Sequence, residues 1–287
     1  MKAYFQQNMV IFSEIAPSPA LAPFVHCYAY REFQTGCLDI VKPWHASHQS
    51  NIVFFLKALP VKLVDSETGQ VLKTGKNCDF VGMATKCNGE MVFNGSYSFF
   101  QIIFKPHGLY RIFKRPPLEL TNKIVWSEDI FSADIKLLHE QFYEANAITE
   151  MVELANSWLL GYLNKHKRID YKDRITSAAN LITINAGLIN VDSLADYACM
   201  STRNFERTFL SETGMSPKQL SCIARFNYAL DLKLKFPLMK WTSIAHLTGY
   251  FDQTHLVKDF KKFGGEPPSS LLKHGPLFEE KRIDQCQ

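Results

Sequence analysis

No stretch of this 287-residue chain is apolar for the length that a membrane span requires. A nucleophile elbow, a phosphate-binding loop and a dinucleotide fingerprint are all missing, so no common catalytic signature is present. The seven cysteines (Cys27, Cys37, Cys78, Cys87, Cys199, Cys222, Cys286) are odd in number and scattered, with no Cys-x-x-Cys. That pattern excludes a disulfide framework and a zinc site and fits reduced, mostly packed thiols. Near the N-terminus, Lys2 and Ala20-Leu21-Ala22 imitate a signal peptide, but Gln6, Gln7, Asn8 and Glu14 break any apolar run. A soluble, cytoplasmic protein is expected. Excess charge is also scarce, at +4 overall, and the length suits two domains of ordinary size.

What the chain does contain is one pattern written twice. Ser193-Leu194-Ala195 with Ala198 returns as Ser243-Ile244-Ala245 with Thr248. Past a turn that gains one residue in the second copy, Phe205, Phe209, Gly214 and Pro217 return as Leu256, Phe260, Gly265 and Pro268. Each copy reads as a helix-turn-helix. In the first, Asp192 or Ser193 is expected to cap a short helix, and Ser201 a second one that stops at Gly214. In the second, Asp252 is the expected cap and Gly264-Gly265 the stop. Phe205 and Phe209 make one buried stripe; Leu256, Phe260 and Phe263 make the other. The outward faces then carry Arg203, Glu206, Arg207 and Leu210, and, offset by 51, Thr254, Val257, Lys258 and Lys261. Such faces can present side chains to base edges in a major groove. Ser216-Pro217 starts a long helix to about Lys235 that would fix the spacing of the two units. Residues 201–262 hold ten Lys and Arg against five Asp and Glu, so the small excess of positive charge is concentrated here.

The stretch from about Arg174 to Leu272 resembles the DNA-binding domain of AraC/XylS-type bacterial transcription regulators. The resemblance is carried by Leu194 to Ser201, Arg203 to Phe209, Gly214-Met215-Ser216-Pro217 and Arg225-Phe226. In the second half it is carried by Ile244-Ala245, Gly249 to Leu256, Asp259-Phe260-Lys261 and Gly265 to Pro268. Lys258 departs from the family's usual arginine and Pro267-Pro268 from its usual Ser-Pro. Lysine lacks the bidentate fork, which favours phosphate over base contact there. The resemblance implies a regulator bound to a double-stranded DNA operator, with Arg203 and Arg207 on guanine edges or phosphates and Thr202 and Asn204 assisting. Gln253, Thr254, His255 and Lys258 would play those parts in the second unit, with Lys261 and Lys262 on phosphate. Glu206 could accept from cytosine N4 or pair with Arg203 or Arg207.

The first half has strand character. Asn51 to Leu56, Val61 to Val64, Gln70 to Lys73, Met91 to Phe93 and Phe99 to Phe104 are short apolar runs, with turns at Thr68-Gly69 and Asn94-Gly95. Helices are expected over about 132–145 and 149–164, and Asn164 to Arg168 reads as a polar linker. The expected class is therefore α+β: an N-terminal antiparallel β-barrel or sandwich with a helical hairpin (1–165), then an all-α domain with two helix-turn-helix motifs (170–275). Phe104 to Tyr110 and Glu119 to Asn122 are similar to the cupin-like sensory domain joined to some members of the same family. On that basis a small-molecule effector, RNA polymerase and a second copy of the chain stand as further partners, with no cofactor expected. The competing reading is a metal-dependent cupin-type enzyme with a DNA-binding tail, drawing on His45, His48, Glu90 and His107. His45 and His48, if on a strand, would point to opposite faces, which disfavours it. Phe54, Phe55, Phe80, Phe93, Phe99, Phe100 and Phe104 either fill a core or line an effector pocket.

Overall fold

Strand period two sorts the N-terminal residues onto two faces, and each face finds a different partner. The computed structural model describes residues 11–35, 39–57, 61–75, 77–131, 133–165 and 174–271. Its strands are β1 (Ile11–Ile15), β2 (Val25–Gln34), β3 (Ile40–Pro43), β4 (Ser50–Lys57), β5 (Lys62–Val64), β6 (Val71–Thr74), β7 (Cys78–Val81), β8 (Glu90–Phe93), β9 (Ser96–Phe104) and β10 (Ile124–Trp126). They form a six-stranded sheet in the order β1-β2-β9-β4-β7-β10 and a four-stranded sheet in the order β3-β8-β5-β6. Every named pairing is antiparallel. Neither sheet closes on itself, so of the two expected forms the open sandwich is the one adopted.

Tyr28, Ile52, Phe54, Phe80, Phe100, Ile102 and Phe104 project from the large sheet into the main N-terminal core. That core is covered by α3 (Asp134–Glu144) and α4 (Ile148–Lys165), which follow α1 (Gly108–Phe113) and the single turn α2 (Ser127–Ile130). Phe142 of α3 meets Phe54 and Phe100, each at 4.9 Å between ring centroids. Asp134 joins the two helices, accepting from Trp158 Nε1 at 2.9 Å and from the Tyr162 hydroxyl at 3.1 Å. The opposite face carries Phe33, Val53, Phe55 and Phe99, which turn toward the small sheet and Phe93. The phenylalanines thus divide by parity between a helix-covered core and the space between sheets.

The expected strands and both helices of the hairpin are present, whereas β1, β2, β3, β7 and β10 were not anticipated. β2 is the longest strand, yet His26, Arg31, Glu32 and Gln34 interrupt the apolar run by which a strand is recognised. Asn164 and Lys165, read as linker, finish α4 instead; His166-Lys167-Arg168 lie outside the described residues.

The C-terminal region holds α5 (Arg174–Ile184), α6 (Val191–Tyr197), α7 (Thr202–Thr213), α8 (Pro217–Lys235), α9 (Trp241–Leu247), α10 (Gln253–Gly264) and α11 (Pro268–Leu271). α8 begins with a capping box between Ser216 and Gln219, with Pro217 at its first position. One hydrophobic core contains Phe205 and Phe209 of the first unit, Leu256 and Phe260 of the second, and Ile223 and Phe226 of α8 between them. Phe226 touches Phe260 at 4.9 Å, and Trp241 touches Phe260 at 5.1 Å. The two units therefore share one interior. Ala46 and Met83 of the N-terminal region join the same core.

Candidate nucleic-acid interface

The repeat extends to the backbone. α7 ends at Gly214 with φ +78° and α10 at Gly265 with φ +84°, the left-handed conformation that closes a helix. The turns inside the two units also correspond, with Cys199 at φ +50° where the second copy has Gly249 at φ +67°. The caps are less uniform. α6 is capped by Asn190, whose side chain accepts from Asp192 N at 2.8 Å; Asp192 and Ser193, the expected caps, fall inside the helix. Ser201 does occupy the cap position of α7 with extended backbone, but its side chain makes no capping bond. Asp252 caps α10 as expected, accepting from His255 N at 2.8 Å.

All eleven anticipated reader residues are exposed: Thr202, Arg203, Asn204, Glu206 and Arg207 on α7, and Gln253, Thr254, His255, Lys258, Lys261 and Lys262 on α10. The stripes behind them, Phe205 with Phe209 and Leu256 with Phe260, are fully buried. Amphipathic spacing thus leaves each outward face free of packing duty. Within the first stripe Arg207 Nη2 donates to Asn204 Oδ1 at 2.9 Å, which holds the guanidinium along the helix face. Glu206 forms no ion pair with Arg203 or Arg207 among the described residues. His255 differs from the rest of the second stripe: its Nδ1 lies 2.9 Å from the Asp252 carboxylate, so the ring is committed to the cap. The bonds from His255 hold the Asp252 carboxyl below its usual range. Lys262 Nζ stands 5.0 Å over the Phe263 ring, whereas Lys261 is simply exposed.

Three of the acids in this segment are engaged locally. Glu212 accepts from Arg111 at 2.6 Å and Asp252 serves as a cap. Asp259 is half-buried on the inner side of α10, where desolvation pushes its carboxyl above the ordinary value despite the Tyr250 hydroxyl and Arg225 beside it. The lysines and arginines are left to dominate the outward field. The Asp259, Tyr250 and Arg225 cluster was not singled out in the sequence, although each residue lies in the matching text. Arg225 also donates to Gly187 O at 3.2 Å and stacks over Tyr250 at 5.5 Å. Phe251, beside the α10 cap, is 92% exposed; no buried stripe claims it.

Both reader helices are gripped at their C-terminal ends by the N-terminal region. Besides the Arg111 pair, Thr121 Oγ1 donates to Gly214 O at 3.1 Å. Ala46 N donates to Phe263 O at 2.8 Å, and Cys87 N to Lys262 O at 3.1 Å. His48 Nδ1 lies 3.1 Å from Asn227 Nδ2 of α8. His45 and His48 sit in the β3–β4 connection and on no strand. Burial, with His26 nearby, lowers His48 to about 4. His107 is fully buried with Nε2 3.0 Å from Pro23 O, and burial lowers it to about 3. Among the described residues no three His, Cys, Asp or Glu side chains gather as metal ligands. No described helix is long and apolar enough to cross a membrane.

Comparison with known proteins follows the same division. Residues 194–274 match a family described as a helix-turn-helix domain, and residues 13–126 match one described as a domain of unknown function (DUF6597). The uncharacterized HTH-type transcriptional regulator YidL of Escherichia coli (strain K12) is 35% identical over 97 residues, which are 33% of this chain and 32% of that protein. The chain therefore spans about a third of that relative's length. Among solved structures, ToxT from Vibrio cholerae O395 aligns over 94% of this chain and 98% of its own, with 11% identity and a TM-score of 0.47. The DNA-binding domain of AdpA, in complex with a target DNA, aligns over 34% of this chain and 89% of its own, with 26% identity and a TM-score of 0.32.

Proposed function

We propose, from the match of residues 194–274 to a helix-turn-helix domain family, that the chain is a sequence-specific transcription regulator of the AraC type. Each protomer lays α7 and α10 into two adjacent major-groove segments of double-stranded DNA. The observation that carries this reading is the pair of exposed, basic helix faces fixed to a single interior. Residues 170–275 are the DNA-binding domain and 1–165 a cupin-like sensory or oligomerisation domain. Arg203 and Arg207 contact guanine edges or phosphates, with Thr202 and Asn204 at the helix start. Gln253 and Thr254 contact bases, Lys258, Lys261 and Lys262 meet phosphate, and Glu206, which is unpaired with its arginine neighbours, accepts from cytosine. His255 serves chiefly to fix the start of α10. The protein acts in the cytoplasm without enzymatic turnover, and a small-molecule effector, RNA polymerase and a second copy complete its partners.

Selection of bound sites from a random DNA pool, followed by footprinting, tests the proposal. A non-palindromic site is expected, protected on one face in two segments roughly 10 base pairs apart. Protection of one segment only, or only of inverted half-sites, would overturn the two-groove arrangement. No enrichment of any sequence would overturn the regulator itself.

A further inference from the structure

The two helix-turn-helix units are offset by 50 residues up to the end of the turn and by 51 beyond it. The residue that makes the difference is Phe251. Met200 N donates to Ala195 O at 3.0 Å in the first unit, and Tyr250 N to Ala245 O at 2.9 Å in the second. The cap positions that follow are Ser201 and Asp252, both with extended backbone. Met200 therefore corresponds to Tyr250 and Ser201 to Asp252, and Phe251 between them has no counterpart. Packing agrees with that register: Met200 lies against the helical core from its edge, and Tyr250 is a buried member of it. An apolar residue just before a cap ordinarily folds onto the fourth residue of the helix and fixes the entry of the chain. Here that partner is Leu256, which is fully buried, whereas Phe251 is almost wholly exposed. The extra residue has not taken up the packing role.

Its ring is nevertheless held in place. The Phe251 and His255 rings stand nearly perpendicular, at 86°, with 6.0 Å between centroids. The imidazole is itself fixed by the Asp252 carboxylate at 2.9 Å. Gln253, Thr254 and His255 are exposed beside it. A bulky apolar ring is thus stationed at the N-terminal end of α10, the end from which a reader helix addresses base edges. The ring has no hydrogen bond to give. In a major groove the apolar feature of an unmodified base edge is the thymine 5-methyl group, which tells A·T from T·A as well as from G·C. The first unit, with no residue at this place, has no equivalent.

We propose that Phe251 is a specificity-determining residue that reads a thymine 5-methyl group at the end of the DNA segment occupied by α10. The proposal rests on the DNA-binding reading of α10, and its test separates the two. Each thymine of the α10 segment in the selected operator is replaced in turn by deoxyuridine, which removes the methyl group and keeps every hydrogen-bonding atom. The affinity of the full chain is measured for each operator. For the wild type, one replacement is expected to weaken binding roughly fourfold, the scale of one buried methyl group. Phe251→Ala should lose the same factor on the thymine operator and no longer distinguish it from the deoxyuridine one. On the deoxyuridine operator it should match the wild type within about twofold, the limit to which independent effects add. A misfolded variant cannot give that result. Phe251→Leu, which keeps an apolar side chain, should retain part of the preference. A wild-type affinity unchanged by every replacement, or a selected segment with no preferred thymine, overturns the methyl contact and leaves the regulator reading intact. So does a Phe251→Ala loss of equal size on both operators, which would place the ring on the sugar–phosphate chain. If the selection enriches no sequence, the regulator reading fails, and the proposed contact falls with it.

Discussion

The Arg111–Glu212 pair offers the sharpest test of how the two regions are joined. Its nitrogen and oxygen are 2.6 Å apart, and the side chains are 12% and 16% exposed. Exposed ion pairs contribute roughly 0–1 kcal/mol, because water and salt screen them and ordering two long side chains costs entropy. This pair is largely shielded and charge-assisted, so a contribution of about 1.5–3 kcal/mol is the appropriate scale. Glu212→Gln keeps the shape and removes the charge, and Arg111→Met keeps much of the stem's packing. Urea unfolding of the wild type, both single variants and the double variant isolates their interaction energy. We expect a coupling near 2 kcal/mol, with little loss between 0.1 and 1 M NaCl, since shielded pairs are screened less than surface ones. A coupling below about 0.5 kcal/mol, or one that disappears in high salt, would show an ordinary surface contact and refute the clasp.

Other consequences can be checked separately. A β-carbon at Gly214 would meet Thr121 Oγ1 at 2.8 Å and Pro117 C at 3.0 Å, on a left-handed residue. Gly214→Ala should therefore cost about 1–2 kcal/mol from the left-handed strain alone, plus the steric cost; thermal unfolding indistinguishable from wild type would contradict this. His48 titrates near 4 in the folded chain and near its ordinary 6.5 when unfolded. Between those values the unfolded state holds more protons, so stability should fall as the pH is lowered from 6.5 to 4, by at most about 3 kcal/mol from this residue. His48→Gln should flatten that part of the profile, and an unaltered slope would remove His48 as its source. Arg207→Ala should cost about 1–3 kcal/mol on the selected site and far less on random DNA if the guanidinium forks onto guanine. An equal loss on both would make it a phosphate contact. Lys261→Ala should weaken all binding and lower the salt slope by about one unit; an unchanged slope would take Lys261 out of the interface.

The helical region was largely legible because its instructions are local. Glycine stops, the aspartate cap at 252, the Ser216-Pro217 start and aromatic spacing all act within one or two turns, and the duplication supplied a second reading of each. The Asn190 cap was missed because Asp192 and Ser193 offer the same chemistry two and three residues later. The β region was less legible. β2 pairs with β1 and β9, and its Arg31 faces a cavity closed by the other sheet, so its polar residues make sense only in three dimensions. The commitment of His255 to Asp252 follows from helix geometry at a spacing of three and could have been anticipated. The grip of Ala46 and Cys87 on the end of α10 could not, since it uses backbone atoms that any residue supplies, nor could that of the Thr121 hydroxyl, whose acceptor is a backbone carbonyl.

α8 has 19 residues and is roughly 28 Å long, while one turn of B-form duplex measures roughly 34 Å. α10 folds back onto its middle through Phe226, Phe260 and Phe263, so a shared interior holds the spacing of the readers. In the proposed complex a duplex seats both readers only where its groove spacing matches theirs. Any mismatch is made up by bending the DNA, at a cost on the order of 1–6 kcal/mol depending on the base steps between the two segments. Flexible pyrimidine–purine steps there would lower the cost, so bases that no side chain touches enter the choice of operator.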